Sequence, residues 1–298
     1  MQYITKFEEL KNYWANSKKA FLRSVARDLA LDFISLKERN VDFDIVFSRP
    51  RVHFLYIHHI FEDEEENFNA LLEMLAKNHT FLSHSEAVEK VLSGTIDKPY
   101  ISFSSDDGLK NNLKAAEILN RYGAKACFFV NPNSIGIDSV EKAAEFCRTK
   151  IDMPPVEFLN WKDLEVLIEQ GHEIGAHTLN HEDVAKLSLE QFEDNLIKCK
   201  SILTSSCGPI KHFAYTYGGY SNFNKAAYEL VFKTGYDSCA TGVRGAHISS
   251  GKKIKKDEFL IRREHTVGAW KLSHMKHFLK KSVEEASIDN NYLPPIWN

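Results

Sequence analysis

An α/β fold of parallel strands wrapped by helices, open or closed into a barrel, is predicted by three observations. Short apolar, β-rich runs alternate with amphipathic segments from Arg51 onward. Capping residues and glycines mark the helix ends between them. Unusual polar clusters follow directly on two of the apolar runs, where working groups sit in such folds.

The elements follow in order. In residues 1 to about 50, Phe21, Val25, Leu29 and Phe33 recur between charged neighbours at helical spacing. This predicts a mainly helical N-terminal extension, residues 1–50, that packs on the main domain, residues 51–298; the alternative is that both share one core. Residues 52–57 read as a strand, and 64–77 as a helix with Phe68, Leu71, Leu72 and Leu75 on one side. Ser83 with Glu86 is a capping-box signature for a helix that stops at Gly94. Residues 100–103 form the next strand, a helix runs from about 111 to Gly123, and 125–130 are a buried strand. Asn160 caps a helix that stops at Gly171, ahead of a strand at 173–176. Ser188 and Gln191 open a helix whose apolar residues Leu189, Phe192, Leu196, Cys199 and Leu203 step by three and four. Gly208-Pro209 ends it, 212–215 is strand-like, and a helix at 223–234 precedes the apolar run 236–240.

Composition narrows the function. Thirty-eight Lys+Arg against 41 Asp+Glu leave a formal charge of -3, so the electrostatic footprint of a general nucleic-acid binder is missing. No apolar run of about 18 residues exists, which argues against a transmembrane segment. The N-terminus shows no basic stretch followed by an apolar one, so a cytoplasmic location is expected. Five cysteines without a C-x-x-C pair speak for free, mostly buried thiols instead of a disulfide framework or thiolate zinc. Oligomeric state is not readable.

Two clusters carry chemistry. The first is Ser104-Ser105-Asp106-Asp107-Gly108, at a strand end. Adjacent carboxylates repel unless a cation or a shared proton offsets them; a plain Asp-Asp-Gly turn with a helix cap is the competing reading. The second is His177-Thr178-Leu179-Asn180-His181, whose histidines converge if the segment makes a helical turn. Thirteen histidines make some such pairs a matter of chance. Together one Asp and two His would form an open metal site, the catalytic arrangement.

With these residues in view, the chain resembles the polysaccharide deacetylases, the NodB-homology group also called carbohydrate esterase family 4. Ser104-Ser105-Asp106-Asp107-Gly108 resembles the family's T-F-D-D-G, and residues 177–181 match its H-[ST]-x-x-H in full. Residues 122–130 are similar to its Y-G-x-K-A-T-F-F-V strand, 171–178 to its G-H-E-I-G-S-H-T, and 213–218 to F-A-Y-P-Y-G. The likeness spans about residues 51 to 265 in the family's order and implies a distorted (β/α) barrel of the NodB-homology type behind the helical extension.

It also implies roles. Asp107, His177 and His181 would hold a metal, usually zinc, with Co2+ or Ni2+ as other divalent choices. Asp106 would be the general base, the backbone N–H of Tyr217 would face the oxyanion, and His265 would be the catalytic acid. His58, where relatives show Tyr-His-Arg-Val, would line the substrate cleft. Three positions depart from the pattern: Ser105 for an aromatic residue, Thr216 for proline, and Ala214 where relatives carry an arginine that orients the base. Thr216 is expected to loosen the loop carrying Tyr217, and the fourth motif's Asp and Trp are not evident around 236–241. The implied activity is removal of an N-acetyl group from an acetylated carbohydrate, expected inside the cell on a nucleotide- or lipid-linked sugar or a surface-polysaccharide precursor. The alternatives are an O-acetyl esterase or non-sugar amidase on the same metal centre, and a non-catalytic carbohydrate-binding relative.

Overall fold

The computed structural model describes residues 2–15 and 18–297. It contains helices α1 (Phe7–Ala15), α2 (Lys18–Lys37) and α3 (Phe43–Phe47), then β1 (Arg51–Ile57), α4 (Glu65–Ala76), β2 (Thr80–Phe81), α5 (His84–Leu92) and β3 (Pro99–Ser105). These are followed by α6 (Asn112–Arg121), β4 (Ala126–Val130), α7 (Val140–Phe146), α8 (Trp161–Glu169), β5 (Glu173–Ala176) and α9 (Leu189–Cys207). The chain ends with β6 (His212–Ala214), α10 (Lys225–Lys233), β7 (Ser238–Ala240), β8 (Leu260–Ile261), β9 (Arg263–His265) and α11 (Leu272–Glu284).

The strands form a nearly closed parallel barrel in the order β8-β7-β6-β5-β4-β3-β1-β9, with β2 added to the lower part of β3. Only Arg262 separates β8, which pairs with β7, from β9, which pairs with β1. One short run of chain therefore bridges the gap between the first and last strands. The crossover helices cover the outside, as parallel pairing requires.

Alternation along the strands sorts the core. Leu55, Ile57, Ile101, Phe103 and Phe128 face the helices. Val52, Phe54, Cys127, Phe129, Ala214 and Ala240 point inward and fill the barrel. Gly175 of β5 faces the ring of Phe129, and a Cβ there would stand 2.4 Å from the ring edge. Only glycine fits beneath the β5 exit.

The helices of the first fifty residues pack unequally on the body. Val46 and Phe47 of α3 join the main core, and Leu10 of α1 packs with Phe61, Leu109, Cys147 and Phe158. The apolar recurrence does lie on a helix, α2, but Val25, Leu29 and Phe33 face solvent instead of the barrel. The side chain of Phe21 lies outside the described residues. Toward the body α2 buries Leu31 and places Asp32 against Lys271 and His274. All five cysteines are free thiols, and no helix among the described residues is long and apolar enough to cross a membrane.

Candidate active site

Polar residues from several strand ends converge on the C-terminal mouth of the barrel. His58 follows β1, Asp106 and Asp107 follow β3, His177 and His181 follow β5, Tyr217 lies beyond β6, and His265 ends β9. Local structure at this mouth is strained. Among the described residues five non-glycine residues have positive φ, and four are here: Asp107 (72°), Thr178 (62°), His181 (55°) and Tyr217 (61°). Such conformations cost energy and persist only where surrounding contacts enforce them. The enforcing contacts are visible. Asn131, after β4, donates from its side chain to the carbonyls of His177 and Thr178, and the Glu182 N–H donates to Thr178 Oγ1 at 3.1 Å.

Asp107, His177 and His181 are buried, and one potential ligand atom from each lies within 4.8 Å of the others. Oδ1 of Asp107 is 3.5 Å from His177 Nε2 and 3.4 Å from His181 Nε2, and finds no hydrogen-bond partner within the protein. His177 Nδ1 is bound to the carbonyl of Ala214 at 2.7 Å, so that nitrogen carries the proton and Nε2 turns a lone pair inward. A buried, orphaned carboxylate oxygen facing two imidazole nitrogens fits a divalent metal. Burial opposes the charge on Asp107, but the nearness of His177, His181 and His58 holds its carboxyl well below the usual range.

Asp106 is bound by a residue the sequence reading did not single out. Arg263 of β9 donates from Nη1 to Asp106 Oδ1 at 2.7 Å and from Nη2 to Oδ2 at 2.8 Å. Its Nε donates to the Thr241 carbonyl at 2.7 Å, and its guanidinium lies 4.3 Å from the centre of the Tyr56 ring. Burial disfavours both charges, yet their pairing lowers the Asp106 pKa and raises that of Arg263. The arginine missing at Ala214 is thus supplied from the opposite part of the sheet. Arg263 and His265 stand two apart on β9 and share one face of it, but a strand of three residues does not announce that in the sequence.

His265 and His58 also meet, with Nε2 and Nδ1 3.1 Å apart. Burial, then the neighbouring His58 and Arg244, push the His265 pKa well down, so its imidazole is neutral at rest. Its ring packs against Tyr56 at 4.9 Å and Trp270 at 5.8 Å. The side chain of Tyr217 is exposed and lies edge-on to His181 at 4.9 Å. Thr216 does not loosen this loop: its buried hydroxyl donates to the Glu182 carbonyl and ties the β6 loop to the β5 loop. Ser105 is buried and keeps its hydroxyl on the neighbouring backbone, at the carbonyl of Asp106.

Residues 93–238, which contain the Asp106-Asp107 and His177–His181 segments, match the family described as polysaccharide deacetylase. This part of the chain belongs to the polysaccharide deacetylase family. His58, Arg263 and His265 lie outside the matched segment. The deacetylase fold extends further, and three solved structures share it. They are the Streptococcus pyogenes deacetylase PplD (17% identity, TM-score 0.59, covering 79% of this chain and 99% of that one), IcaB from Ammonifex degensii (16%, 0.61, 78% and 98%), and the polysaccharide deacetylase BC0361 from Bacillus cereus (20%, 0.60, 78% and 70%). No curated protein matches the chain by sequence.

Proposed function

We propose that the protein is a metal-dependent hydrolase that removes an N-acetyl group from a sugar, with zinc as the expected ion. The observation that carries this reading is the pairing of two unlike carboxylates at one strand end. Asp107 is left without a partner beside two inward-facing imidazoles, while Asp106 is held ionised by a buried arginine. A binding module needs neither.

A divalent ion held by Asp107, His177 and His181 would supply Lewis acidity to the acyl carbonyl and to a water at the same point. The residues around it account for the proton movements. Each oxygen of Asp106 accepts one bond from Arg263 and keeps a further lone pair, so the carboxylate can take a proton from the attacking water while its orientation stays fixed. The water oxygen adds to the acyl carbon, and the backbone N–H of Tyr217 is assigned to the oxyanion. The C–N bond then breaks as the departing amine takes a proton from His265. Being neutral at rest, His265 first takes that proton from solvent and shares it with His58 Nδ1, while Asp106 releases to solvent the proton it took from the water. Acetate and a free amine result.

The test is acetate release from a panel of N-acetyl and O-acetyl sugars. Release from N-acetyl sugars is expected. Release from O-acetyl esters alone would convert the reading to an esterase, and release from none would overturn it.

A further inference from the structure

α2 turns most of its large apolar residues away from the body. Toward the body it presents the buried Leu31 together with polar groups: Asp32 accepts from Lys271 Nζ at 2.6 Å and pairs with His274 at 2.9 Å, and Arg27 lies 5.7 Å over the Trp270 ring. Away from the body, Leu22, Val25, Leu29, Phe33 and Leu36 step by three and four along the helix, each 40–66% exposed. A surface helix ordinarily buries such a stripe.

The stripe needs an occupant. It runs along a helix of about 30 Å and exposes about 500 Å² of apolar surface, near the upper end of what a monomer shows. A second copy is a poor fit, because a stable dimer buries about 800 Å² per partner. The sequence of α2 also holds five Lys and Arg (18, 19, 23, 27, 37) against two Asp (28, 32), so self-pairing would bring like charges together. An apolar stripe within a net cationic helix instead complements an anionic lipid surface, where such helices lie flat. The position is suggestive too: Trp270, covered by Arg27, stands 5.8 Å from the His265 ring, so α2 lies beside the mouth of the site.

We infer that α2 docks the protein on an anionic lipid surface, and that the acetylated sugar is presented there as the headgroup of a lipid carrier. The second half rests on the deacetylase reading above; the first does not.

The experiment is flotation of the zinc-loaded full chain with vesicles of phosphatidylcholine alone and of equimolar phosphatidylcholine and phosphatidylglycerol. Wild type is expected to float with the anionic vesicles, and the Leu29→Ser/Phe33→Ser variant to bind them at least about tenfold more weakly, from the loss of two buried apolar side chains. Both side chains are exposed, so an unchanged melting temperature serves as the folding check. Acetate release from a vesicle-borne N-acetylated glycolipid should fall by a similar factor in the variant, while release from a water-soluble acetylated oligosaccharide stays the same. Docking is overturned if wild type fails to float, if the variant floats equally well, or if light scattering shows a wild-type dimer that the variant dissociates. Equal loss, or no loss, on the two substrates overturns the lipid-carrier half. Absence of acetate from every substrate removes the deacetylase reading, and with it that half, whereas flotation decides docking independently.

Discussion

At the residue scale the strongest constraint is electrostatic. Asp106 and Arg263 are both buried, and each is tolerable only because of the other. Arg263→Met should therefore destabilise the protein by about 3–5 kcal/mol, leaving a buried unpaired carboxylate. Asp106→Asn combined with Arg263→Met should recover much of that loss in a denaturation series while remaining inactive. Additive losses in the double variant would contradict the coupling. Asp106→Asn alone should keep the metal and lose about 100- to 10,000-fold in kcat, the range for removing a general base. His181→Ala should fail at the earlier step: metal content, measured on the purified variant, should fall with activity. Full occupancy would take His181 out of the ligand set.

Elements were legible where their signals are local. The capping boxes at Ser83, Asn160 and Ser188 are all formed, because a side chain three residues from its partner needs no knowledge of the fold. Ser188→Ala should accordingly cost about 1 kcal/mol in an unfolding experiment. The two motif segments were equally readable, since ligand spacing is fixed within five residues. Three features were hidden. β8 and β9 are two and three residues long, too short for periodicity to register. Arg263 meets Asp106 across 157 positions of sequence, a distance that only the closure of the barrel removes. The period of α2 announced an apolar face but not which side of the helix the body would cover. Loop geometry adds a test at this scale. Gly218 has φ +66°, and a Cβ there would lie 2.5 Å from the Gly242 backbone nitrogen. Gly218→Ala should move the Tyr217 loop, lowering kcat at least about tenfold through a displaced oxyanion donor, while metal content stays normal.

Over the whole molecule the two ends of the barrel differ in chemistry. Besides the ionised Asp106, Asp107 and Arg263 at the mouth, the fold buries histidines toward the other end that it keeps neutral. Burial, followed by neighbouring cations, sets His53 and His84 well below their ordinary values. Burial likewise sets His79 and His247 at about 4. At His79 and His247 the unfolded chain binds protons from about pH 6.5 downward, and the fold does not until about pH 4. The contribution of these two is thus complete above about pH 6.5 and lost as pH falls toward 4, on the order of 3 kcal/mol for each, and His53 and His84 act in the same direction. The urea midpoint should drop steeply between about pH 7 and about pH 4.5, and His247→Gln should flatten part of that slope. A midpoint indifferent to pH would refute this account of the buried histidines.

The claim that joins these scales is that Asp107, His177 and His181 hold a metal ion that Asp106 and Arg263 put to hydrolytic use. Its most direct test is acetate release from an N-acetylated sugar by protein stripped with a chelator and then supplied with stoichiometric zinc. Release should fall to background on stripping and return with zinc in wild type but not in His177→Ala. Equal release by stripped and zinc-loaded protein would contradict the account.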